Sequence, residues 1–145
     1  MSYEYEDNDE DLAAIKRARL IIQEGVREMQ PEILAAWIQA LESGEYDQGR
    51  KVLRSTDNKY CCLGVVCDIV AGDEWYEKEL ASVRTPRLFH PYGNIDAGLL
   101  DNEACAQLRL STIGMDTFAE VNDNGWTFAE IADAMKSDDR EDDDA

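Results

Sequence analysis

Charge in this chain is gathered at its two ends, and that distribution decides how much of the chain can form a core. Residues 1–12 carry Glu4, Glu6, Asp7, Asp9, Glu10 and Asp11 with no base, and residues 137–145 carry Asp138, Asp139, Glu141, Asp142, Asp143 and Asp144 against Arg140 alone. These stretches hold −6 and −5 of a net −18, which leaves −7 on residues 13–136. Blocks of like charge bury too little apolar surface to offset chain entropy, so acidic disordered tails are expected at 1–12 and 137–145. The folding unit is then a single domain over 13–136. A domain of that size buries roughly two thirds of the surface its unfolded chain exposes, enough for a core without disulfides or a metal.

The same balance narrows function. With 14 Lys and Arg against 32 Asp and Glu, the chain lacks the basic footprint of a nucleic-acid reader, and a free anionic polymer would be repelled. No run approaches the roughly 20 apolar residues of a membrane helix. The amino terminus is acidic where a signal peptide is basic and then apolar, so a cytoplasmic protein is expected.

Hydrophobic spacing predicts an α+β domain, mostly helical, with a small antiparallel hairpin or sheet. Leu12, Ile15, Leu20, Ile21, Ile22, Val26 and Met29 recur with near-helical spacing, predicting a helix over 9–29. Pro31 opens a second, 31–43, and Gly44 stops it in the left-handed region. Segments 51–54 and 59–61 flank Asp57-Asn58 as a hairpin. Cys62 to Ala71 is almost wholly apolar and ends at Gly72; it reads as a buried helix, with a continued strand left open by Val65, Val66, Ile69 and Val70. Residues 73–100 hold Pro86, Pro91, Gly93 and Gly98 and no sustained period, an irregular excursion in which short strands can hide. Helices follow at 101–109, 117–121 and 128–136, the last capped by Thr127 with Glu130 three residues on. Leu34, Trp37, Ile38, Leu41, Leu63, Val66, Phe118, Val121, Phe128 and Ile131 form the expected core. Asn122-Asp-Asn-Gly reads as a turn, with positive φ or a close backbone approach at Gly125 and the side chain of Asp123 or Asn124 on the turn's own backbone donors.

Catalytic and metal patterns fail one by one. Cys61, Cys62, Cys67 and Cys105 lack paired C-x2-C knuckles and read as packed thiols. Cys62 at a helix start has a route to a lowered pKa and pairs on paper with His90, but no orienting third residue or oxyanion loop accompanies them. Two stretches imitate a calcium loop, one from Asp7 and one from Glu120, and both lack the final bidentate acid, with Ala18 and Ile131 there instead. Lys136 is followed by acids where a helix-turn-helix needs a basic recognition helix. Neither a phosphate-binding glycine loop nor Gly-x-Ser-x-Gly occurs. No cofactor and no metal are expected.

Two blocks carry a resemblance: Tyr60-Cys-Cys-Leu-Gly-Val-Val-Cys-Asp, preceded by residues 37–54, and Phe118-Ala-Glu-Val-Asn-Asp-Asn-Gly-Trp-Thr-Phe-Ala-Glu-Ile-Ala-Asp. They resemble a family of small, mostly uncharacterised bacteriophage proteins, over about residues 35–70 and 116–134. The resemblance implies a phage or prophage origin and a cytoplasmic setting, and carries no catalytic residue with it.

The leading expectation is a non-enzymatic accessory protein. It binds and modulates a host protein with a basic surface, such as a defence or nucleic-acid-handling enzyme, through acids that mimic a nucleic acid; Asp138, Asp139, Glu141, Asp142, Asp143 and Asp144 are its candidate contacts. The alternative is a nucleotide-like ligand held by the excursion, with Trp75, Tyr76, Arg84, Arg87, His90 and Tyr92 as stacking and anion-holding groups. A thiol-dependent enzyme is the third reading.

Overall fold

A computed structural model describes the backbone of residues 2–80, 83–93 and 98–136 and the side chains of 11–78, 88–93 and 98–136. Among the described residues six helices and two small two-stranded sheets follow in the order α1 (Ser2–Val26), α2 (Pro31–Ser43), β1 (Asp47–Gln48), β2 (Lys59–Tyr60), α3 (Cys62–Ala71), β3 (Tyr76–Leu80), β4 (Val83–Phe89), α4 (Asn102–Leu108), α5 (Thr112–Asp123) and α6 (Phe128–Lys136). This is the expected mostly helical α+β architecture.

Local chemistry explains the boundaries. Pro31 starts α2 after an extended Gln30, and Gly44 ends it at φ 78°. Asp101 and Ser111 cap α4 and α5 by accepting from Ala104 N and Gly114 N. At α6 the capping box closes both ways, Glu130 N donating to Thr127 Oγ1 and Thr127 N to Glu130 Oε1. The first helix begins at Ser2 rather than Asp9, so its backbone takes in part of the acidic 1–12 stretch; acids in the first turns suit the positive end of a helix dipole. It also stops at Val26, short of the expected Met29.

Three further expectations need correction. The fifth helix begins at Thr112, not 117. There, Gly114 packs against Gly25 of α1 so closely that a Cβ on either glycine would lie 2.9 Å from the other's Cα. The 51–54/59–61 hairpin contracts to one antiparallel bridge, Arg54 with Tyr60, flanked by Cys61 N to Leu53 O and Ser55 N to Lys59 O, and β2 takes a parallel partner, Asp47–Gln48, on its other edge. The excursion does hide strands, as expected: β3 and β4 form an antiparallel hairpin with Tyr76 opposite Phe89 and Lys78 opposite Arg87. Finally, Gly125 has the expected φ of 104°, but Asp123 Oδ1 accepts from distant Lys51 N rather than from the turn.

The core lies where α3 meets α2 and α5, closed by α1 and α6. Trp37, Leu41, Leu63, Val66, Phe118, Val121, Phe128 and Ile131 are buried as expected, while Leu34 and Ile38 pack at its edge. The two recognisable blocks meet directly: Trp37 and Phe118 rings lie 4.8 Å apart, and Trp37 Nε1 donates to Cys62 O at 2.9 Å. Asn122, fully buried, holds three segments together. Its Oδ1 accepts from Cys62 N (3.1 Å) and Gln48 Nε2 (3.0 Å), and its Nδ2 donates to Gly49 O (2.8 Å).

Candidate functional site

An acid inside an apolar helix needs partners, since an unpaired buried carboxylate is costly. Asp68, in the middle of the α3 run, finds two: Tyr46 donates its hydroxyl to Oδ2 at 2.6 Å and Trp75 Nε1 donates to Oδ1 at 3.0 Å. Burial first, and then the carboxylate it bonds, push the Tyr46 hydroxyl well above the ordinary phenol range. Around this acid runs a chain of rings, Tyr46 to Tyr60 (4.9 Å), Tyr60 to Trp75 (6.0 Å), Trp75 to His90 (4.7 Å) and His90 to Tyr92 (5.4 Å). Arg54, brought there by its bridge to Tyr60, lies over the Tyr60 and Trp75 rings at 5.0 and 5.4 Å and donates to Asn58 Oδ1 at 2.7 Å. The rings fix the guanidinium in a half-buried position, a geometry suited to a planar anion.

The structure therefore unites Trp75, His90 and Tyr92 of the predicted ligand set, but spends their polar groups internally. His90, 2 % exposed, accepts from Tyr92 N at Nδ1 (3.1 Å), so Nε2 carries the proton and donates to Ala71 O (2.8 Å). Tyr76 stands apart, exposed and stacked on Phe89. Arg84 and Arg87 lie on β4 with side chains outside the described ones. Tyr92 also borders a depression of about 180 Å³ whose other walls include Asp101 and Glu103, acids that disfavour a phosphate. The acidic residues Asp138, Asp139, Glu141, Asp142, Asp143 and Asp144 lie outside the described residues.

Sequence reasoning missed Tyr46, Arg54, Tyr60 and Asp68. The signal for the last was present: a lone acid in Cys-Leu-Gly-Val-Val-Cys-Asp-Ile-Val-Ala.

The thiols are packed and free, all four buried. The helix start does not lower the Cys62 pKa; burial drives it well above its ordinary value, and Sγ donates to Phe118 O. Burial likewise pushes Cys61 up to about 11 and raises Cys67 and Cys105. With both His90 nitrogens committed elsewhere, the Cys62–His90 pair does not form. Among the described residues no group of three His, Cys, Asp or Glu is placed to hold a metal, and no helix is long and apolar enough to cross a membrane.

A family model described as a domain of unknown function, DUF8296, matches residues 29–139, and the chain belongs to that family. No curated protein and no solved structure matches it.

Proposed function

We propose that this DUF8296 member is a binding protein and not a catalyst: a phage or prophage accessory protein that engages and modulates a host protein through an acidic, nucleic-acid-like surface. The observation that carries the reading is the surplus of 32 acids over 14 bases. It continues onto the described surface, where Asp73, Glu74 and Glu77 stand exposed beside the Arg54 cluster and Glu42, Glu45 and Asp47 line the exit from α2. Such a field draws a basic groove by long-range attraction and speeds its encounter. The thiols, protonated by burial, and His90, bonded at both nitrogens, support binding over nucleophilic chemistry. The nucleotide-like ligand reading has less support, because Trp75, His90 and Tyr92 already pack edge-to-face on one another and the polar groups of His90 are spent internally.

The test begins with affinity capture from the host cytoplasm. Association with the captured protein is then measured against ionic strength, for the full chain and for one ending at Lys136. We expect the rate to fall steeply with salt and to be slower for the shortened chain, whose unfolding midpoint is unchanged. A rate indifferent to both salt and the acidic end refutes the proposal.

A further inference from the structure

The carboxy-terminal half of α1 is built into the fold, with Ile22 and Val26 buried against its neighbours. The stretch before it differs: every side chain from Asp11 to Arg17 is exposed, including Leu12 at 63 % and Ile15 at 42 %. Leu12, Ile15, Arg19, Ile22 and Val26 advance by alternating steps of three and four, so the exposed pair prolongs the stripe that is buried further along. Beside it, Ile15 lines a groove of about 370 Å³ between α1 and α6 with Trp126 and Ala129. Its polar rim is already bonded, Asp133 to Arg19 and Glu130 to Thr127 N.

We infer that a second copy of this chain covers the exposed stretch 11–17 of α1, the two helices lying antiparallel about a two-fold axis between Ala13 and Ala14. The order of residues argues for a self-partner. About that axis Ala13 falls level with Ala14 of the second copy, Leu12 with Ile15, Asp11 with Lys16 and Glu10 with Arg17, so the pattern reads the same from either end. A two-fold interface requires such self-complementarity. Leu12 and Ile15 supply the apolar layer. Each end of the stretch thus sets an acid level with a base of the other helix, Asp11 with Lys16 and Glu10 with Arg17. A parallel pair would set six acids against six. The region from Glu10 to Arg17 holds two acids and two bases, a neutral strip on a chain of net −18, where two copies approach without the repulsion that the rest of the charge imposes.

Sedimentation of the full chain from about 1 µM to about 1 mM tests this, a span that covers weak self-association. The expected result is a mass rising from 16.4 kDa toward twice that value. L12D/I15D weakens association by about 100-fold or more, and L12D alone, at the more exposed position, weakens it with unfolding unchanged. K16E/R17E abolishes it, and combining those changes with D9K/E10K/D11K in the same chain restores it, which only the antiparallel arrangement allows. This last variant alters no apolar residue, so it keeps the test independent of folding at Ile15. A chain that stays at 16.4 kDa throughout, a dimer indifferent to L12D/I15D, or a charge-swapped chain that stays monomeric overturns the inference.

Discussion

Gly64→Ala sets two physical effects against each other, and the structure decides the sign. On helix propensity alone the change stabilises α3 by about 1 kcal/mol. The new methyl, however, would sit 1.8 Å from the Leu53 carbonyl oxygen and 2.6 Å from its carbon, both backbone atoms of a fully buried residue. Ordinary contact begins near 3.4 Å, so α3 and the Leu53 segment must separate by about 1.6 Å. That separation breaks the Cys61 N to Leu53 O bond, now 3.2 Å, and disturbs Trp37 Nε1 on Cys62 O. Overpacking costs about 1–3 kcal/mol and each buried group left unpaired about 1–3 kcal/mol. Against the gain of about 1, the expected net loss with one group left unpaired is about 1–5 kcal/mol. Guanidinium unfolding followed by tryptophan fluorescence reads it as a lower midpoint at unchanged slope. A variant as stable as the parent, or more stable, refutes the close approach and with it the reason for glycine in the Cys-Cys-Leu-Gly block.

Asn122→Ala strands Cys62 N–H and Gly49 C=O in the core, and should cost about 2–4 kcal/mol by the same assay; a loss below about 1 would mean that water reaches these groups. Stability should also fall with rising pH. The Cys61 thiol ordinarily ionises at 9.0 but is held up to about 11 in the fold by burial. Its contribution is complete below pH 9 and is lost through pH 11, at about 1.4 kcal/mol per pH unit for each such thiol. Cys62 and Cys67, pushed up in the same direction, steepen the fall, and Cys61→Ala removes one thiol's share; a flat profile from pH 9 to 11 would show that the thiols ionise in place.

Helices with local punctuation were legible. Pro31 and Gly44 bound α2, the apolar run ending at Gly72 gave α3, and Thr127 with Glu130 marked α6. What escaped is non-local. Gly114 reads as a breaker until Gly25 arrives against it, so the first turns of α5 were hidden. Parallel neighbours such as β1 and β2 have no period in two residues apiece. Pro86 and the charges of Tyr-Glu-Lys-Glu-Leu masked the β3–β4 hairpin, whose pairing supplies what its sequence does not advertise. In the candidate site, Trp75, His90 and Tyr92 drew notice as a polar-aromatic mixture. Arg54 and Tyr46 did not, because their roles come from Tyr60 and Asp68, which only the fold brings to them.

The contact of α1 with α5 and α6 has a consequence for synthesis. The apolar face of α1 leaves the ribosome roughly a hundred residues before the helices that cover it, which at about 5–20 residues per second is a wait of about 5–20 s. Through that interval Ile22, Val26 and Met29 face solvent on a nascent chain. The acids that precede them keep such a chain dispersed while its helices wait for their partners.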